Sequence, residues 1–211
     1  MMAESKLGKF LAQFISFIFH PLLIPTFAAF VFLNSNHFFA VLNQELKLSL
    51  LLNFFILSCI SPAIFIPVIK FFRFSSVKTN YDKIARLLLL AIVMMLYFVL
   101  YYNLQKLFIP RVLINIIPVS ILIMMLVGII SVFWKISLYA SGIGGLLGYV
   151  FFLATILKLS VTLSALLSIL IAGCVAYSRL YLGKHKPSQV YLGTLLGFSI
   201  SYVFMFCISF L

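Results

Sequence analysis

Seven runs of apolar residues, each close to bilayer-crossing length, leave this chain little choice of solvent. They cover roughly residues 10–33, 48–69, 86–104, 112–133, 138–158, 161–182 and 190–211; about 20 apolar residues in helical form span a hydrocarbon core. Inside lipid every backbone N–H and C=O must be satisfied within the chain, which for runs of this length means helices. Only 9% of the residues are charged and 65% are hydrophobic, against about 25% charged in a soluble domain. The expected fold is therefore all-α: one polytopic transmembrane helical bundle over residues 1–211, with about seven helices and six as the alternative. The first two runs are broken by proline (His20-Pro21 and Pro25, then Pro62 and Pro67), so each should kink and leave carbonyls that need new partners. The basic start, with Lys6 and Lys9, leads into a run too long for a signal-peptide core and is read as a retained helix.

The acidic side is almost empty: Asp and Glu total 3 (Glu4, Glu45, Asp82) against 15 Lys and Arg, a formal net charge of +12. So few carboxylates exclude hydrolysis by a carboxylate pair and argue against a carboxylate-held metal. No metal, cofactor or nucleic acid is expected. Cys59, Cys174 and Cys207 fall in apolar runs and read as small hydrophobes. Basic residues near helix ends resist translocation. With the amino terminus inside, 11 cations fall on the inner side (Lys6, Lys9, Lys70, Arg73, Lys78, Lys83, Arg86, Lys135, Arg179, Lys184, Lys186) and 4 on the outer (Lys47, Lys106, Arg111, Lys158). The expectation is a multi-pass protein of a cell inner membrane with a cytoplasmic amino terminus. Alternating helices then place three basic linkers on one face: the stretch before Arg86, the Trp134-Lys135 turn, and Ser178 to Gln189. Clustered cations beside low-dielectric walls attract anions.

The third of these linkers carries the most chemistry. Arg179 offers a planar fork of donors suited to phosphate oxygens, and Ser178 a hydroxyl. His185 stands between Lys184 and Lys186, which should depress its pKa and keep the imidazole neutral and nucleophilic. Composition alone also fits a solvated basic turn.

Ser178-Arg179, five residues, His185, then three residues and position 189 resembles the third signature of the type 2 phosphatidic acid phosphatase superfamily. That resemblance implies a histidine that attacks phosphorus to form a phosphohistidine and an acid that orients it; here His185 is the histidine and Gln189 stands in the acid's place. The second family signature, Pro-Ser-Gly-His, aligns with Ile136-Ser137-Leu138-Tyr139 after Lys135. Tyr139 occupies the position of the histidine that protonates the leaving oxygen, and a phenol with a reference pKa near 10 is a poor acid for that work. The first signature is represented by Arg86, with Lys78 and Lys83 as stand-ins for its upstream lysine. The resemblance covers residues 78–196. It implies catalytic roles for His185, Gln189 and Tyr139, and phosphate contacts from Arg179, Ser178, Ser137, Lys135, Arg86 and Lys83. It also implies a phosphorylated or anionic lipid as ligand. The replaced acid and orienter imply a degenerate member that binds a phosphorylated head group with weak or no turnover.

Two other readings compete. A membrane scaffold or accessory subunit would use the basic face to dock a partner subunit, a second copy or anionic lipid with no defined pocket; it expects Arg86, Lys135 and Arg179 to stand apart. A small transporter is disfavoured by the near absence of intramembrane charge and of an inverted repeat. Glycines 142, 144, 145 and 148, and again Gly193 and Gly197, give small-xxx-small spacings that let helices approach closely. His20 reads as a partner for a carbonyl freed by the first helix break, or as an intramembrane ionisable site. His37, in a polar loop, carries no signal.

Overall fold

A computed structural model describes residues 6–35, 43–65 and 78–209, with only the backbone course for 78–85. Lys70, Arg73, His37 and Pro67, and the side chains of Lys78 and Lys83, lie outside the described residues. Among the described residues seven helices are long and apolar enough to cross a membrane: α1 Lys6–Leu33, α2 Gln44–Phe65, α3 Lys78–Gln105, α4 Arg111–Phe133, α5 Leu138–Thr155, α6 Thr162–Tyr181 and α7 Pro187–Ser209. Among the described residues there is no strand. The all-α bundle and its seven-helix count stand as the sequence implied.

Proline breaks the first two helices, and local chemistry repairs each break. In α1, Lys6–Ile18 ends before a 3-10 turn, Pro21–Leu23, from which Ile24–Leu33 continues. Pro21 and Pro25 both sit in first turns, where a missing N–H costs nothing. His20 caps the 3-10 turn: Leu22 N–H donates to its Nδ1 at 3.4 Å. The imidazole thus accepts from a freed N–H; it was expected to donate to a freed carbonyl. In α2 a five-residue π turn, Ile56–Ile60, precedes Pro62. Pro62 cannot donate to the carbonyl of Ser58, four residues back, and Tyr97 of α3 reaches that carbonyl with its hydroxyl at 3.5 Å.

At the centre is α5, which contacts α1, α4, α6 and α7, the last most closely. Its small residues make this possible. A Cβ at Gly144 would overlap the Thr194 carbonyl oxygen, one at Gly148 that of Phe198, and one at Gly197 that of Ser141. The glycine spacing therefore serves backbone-to-backbone packing, as expected of small-xxx-small patterns.

Candidate functional site

The site is built where α6 turns into α7. Helix α6 closes with a left-handed residue, Gly183 (φ 60°), a conformation that glycine adopts without penalty. Gly183 N–H donates to Leu180 O at 3.0 Å and Lys184 N–H to Arg179 O at 3.2 Å, the paired bonds of a Schellman cap. Three residues later α7 begins, with Pro187 at its first helical position. Gln189, two residues further, reaches back so that Lys186 N–H donates to its Oε1 at 3.0 Å, the return half of a capping box. A turn this tight sets Arg179 and His185 at the same end of the bundle.

Gln189 also fixes the histidine. Its Oε1 lies 3.2 Å from His185 Nδ1, and because that oxygen already accepts from Lys186 N–H, it can only accept from the ring as well. His185 therefore carries its proton on Nδ1 and presents a lone pair at Nε2. Burial pushes the imidazole below its usual range, and the positive charges of Arg179, Lys135 and Arg86 push the same way, against the opposing hydrogen bond from Gln189. Three cations from three linkers thus act on one neutral imidazole.

The two arginines are themselves held. Arg86 donates from Nη2 to Ile136 O at 2.8 Å, tying α3 to the turn before α5. Arg179 lies 4.1 Å above the centroid of the Tyr139 ring and donates from Nη1 to Ser16 Oγ at 3.5 Å. Its Nε is buried with no hydrogen-bond partner among the described residues, a donor whose desolvation is uncompensated until an acceptor arrives. Lys135 is exposed. Lys83 lies where side chains are outside the described residues.

The two serines take structural posts. Ser137 is fully buried; its Oγ accepts from Ala140 N–H at 3.3 Å as the cap of α5, and its own N–H donates to Gln189 O at 3.2 Å. Ser178 is equally buried and donates to Cys174 O one turn back at 2.7 Å. Tyr139 faces the site by its ring, with Arg179 over it and the His20 ring in a T-shaped arrangement 5.4 Å away, centroid to centroid. His20 is the residue whose place in the site the linear pattern did not reveal. Its one local signal is the adjacent proline break, which says nothing of Tyr139. Among the described residues no group of three His, Cys, Asp or Glu side chains could hold a metal ion.

The family model described as PAP2 superfamily matches residues 139–210. The resemblance read from Ser178, Arg179 and His185 thus holds over a stretch that begins at Tyr139 and includes the whole α6–α7 turn. No curated protein and no solved structure matches the chain.

Proposed function

From a chain whose residues 139–210 match the PAP2 superfamily, we propose a membrane-embedded lipid phosphatase-like protein that binds a phosphorylated lipid at the cytoplasmic interface of an inner membrane and turns it over slowly. One observation carries the reading: hydrogen bonds join the three basic linkers, Arg86 Nη2 to Ile136 O at 2.8 Å and Ser137 N–H to Gln189 O at 3.2 Å, beside an imidazole whose Nδ1–H is held by Gln189. Phosphate oxygens meet Arg179, whose Nε lacks a partner among the described residues, with Lys135 and Arg86 adding charge. Nε2 of His185 attacks phosphorus and the P–O bond to the lipid breaks with its electron pair on the lipid oxygen, which takes a proton from interfacial water; a second water then hydrolyses the phosphohistidine to inorganic phosphate and the neutral imidazole. Gln189 orients the ring as the family's acid would but adds no charge to stabilise the imidazolium. Tyr139 offers no acid matched to neutral pH for the leaving oxygen. Slow turnover follows from both substitutions.

A scaffold with a diffuse basic face expects the three basic linkers to stand apart, and the hydrogen bonds that join them count against it. The test is purified protein with a panel of lipid phosphates and diphosphates, beside His185→Ala and Arg179→Ala. The expected result is slow hydrolysis that His185→Ala abolishes and lipid-phosphate binding that Arg179→Ala weakens at least tenfold. Identical background rates in wild type and His185→Ala end the catalytic half, and unchanged binding in Arg179→Ala ends the other.

A further inference from the structure

Beneath Tyr139 lies a cavity of about 250 Å³ walled by α1, α3, α4, α5 and one residue of α7. Three of its polar groups are already engaged: Tyr97 hydroxyl with Ser58 O, Tyr149 hydroxyl with Val112 O, and Ser120 Oγ with Ile116 O. The polar groups that remain sit at its two ends. His20 and Tyr139 stand at one, beside Arg179. At the other stands Ser201, level with Gly148, 1% exposed, its Oγ without a partner among the described residues. Apart from those three engaged groups, the side chains between are apolar.

We infer that this cavity seats the single apolar chain of a phosphate monoester whose head group lies at Arg179 and His185. The inference rests on the phosphate reading above and names the substrate class it takes. The lining residues of α5 run from Leu138 to Tyr149, which at 1.5 Å per residue is about 16 Å, or roughly half of a 30 Å hydrocarbon core. A chain entering past Tyr139 therefore stays within one leaflet. An apolar cavity of about 150 Å³ holds one benzene, so the space here takes about ten carbons, which is one chain and not two. Tyr139 joins the halves: one ring carries the Arg179 guanidinium and also lines the cavity. His20 Nδ1 accepts from Leu22 N–H, which leaves Nε2–H free to donate to the ester oxygen at the neck. Ser201 marks the far end, a buried hydroxyl with no partner among the described residues that the end of such a chain would reach.

Photocross-linking tests this with the full chain in phosphatidylcholine nanodiscs and dodecyl phosphate carrying a diazirine at its last carbon. Label is expected on α5 and α7 around Tyr149 and Ser201, reduced at least tenfold by excess dodecyl phosphate or farnesyl phosphate. Filling the cavity by Ser120→Phe, or independently by Ala28→Leu, should remove that label to the same extent, with thermal unfolding confirming a folded variant. Label confined to lipid-facing residues such as Val203 and Phe206 overturns the cavity inference and leaves the phosphate reading standing. Displacement by dodecanol as effective as by dodecyl phosphate overturns the phosphate reading and with it the phosphorylated character of the ligand.

Discussion

Replacing Gln189 by Glu changes one atom at the centre of the site and keeps its shape. The oxygen 3.2 Å from His185 Nδ1 becomes half of a carboxylate, and its second donor, Lys186 N–H at 3.0 Å, belongs to a helix amino terminus that favours negative charge. A unit charge at 3.2 Å from an imidazolium is worth about 1.3 kcal/mol at a dielectric of 80 and about 5 kcal/mol at 20. Each pKa unit corresponds to about 1.4 kcal/mol, so the His185 midpoint should rise by about one to four units. The chain has 3 histidines, and carbon-13 histidine labelling with His185→Gln as the assignment control reads this midpoint directly. The carboxylate also stabilises the imidazolium character that develops as nitrogen bonds to phosphorus. The plateau rate on lipid phosphates should therefore rise about tenfold or more, while the acid limb of the rate profile moves up with the midpoint. A midpoint that stays or falls refutes the placement of Gln189 on the ring. A midpoint that rises without any change in rate refutes His185 as the attacking group.

Two further outcomes are expected. The imidazole of His185 is held below its usual range, so the unfolded chain binds the extra proton first; stability is full above about pH 6.5 and is lost as pH falls from there toward the lower native value. The unfolding temperature should drop between pH 7.5 and 5.5 in the wild type and drop less in His185→Gln; equal drops would remove His185 as the cause. Gly197→Ala places a methyl against the Ser141 carbonyl oxygen, whereas Gly173 has nothing within 4 Å. Thermal or denaturant unfolding should show about 1–3 kcal/mol lost at position 197 and none at 173, and equal effects would refute the close approach of α5 and α7.

What the sequence made legible followed from interactions local to it. The solvent dictated seven helices, and hydropathy found them. The small-residue spacing in α5 and α7 revealed a close contact because the repeat itself is the contact surface. Arg179 and His185 were readable together because they flank one short turn. Hydropathy put the apolar run of α7 from about residue 190, and the helix itself begins a little earlier, at Pro187. Capping residues are polar, and Lys186-Pro187-Ser188-Gln189 speaks through proline at the first position and glutamine at the third. Serines were ambiguous for a chemical reason: a hydroxyl suits a phosphate or a helix cap equally, and only the folded contacts show that Ser137 Oγ accepts from Ala140 N–H and Ser178 Oγ donates to Cys174 O. The meeting of His20 with Tyr139 was not legible at all, because it depends on how two helices more than a hundred residues apart cross. The shortage of acids has a narrower meaning once Gln189 is in place. Orientation of a histidine needs an acceptor at the right atom, which an amide supplies. In the proposed reaction, stabilising the charge that forms needs a carboxylate, so the missing acid would bear on turnover while the tautomer of His185 stays intact.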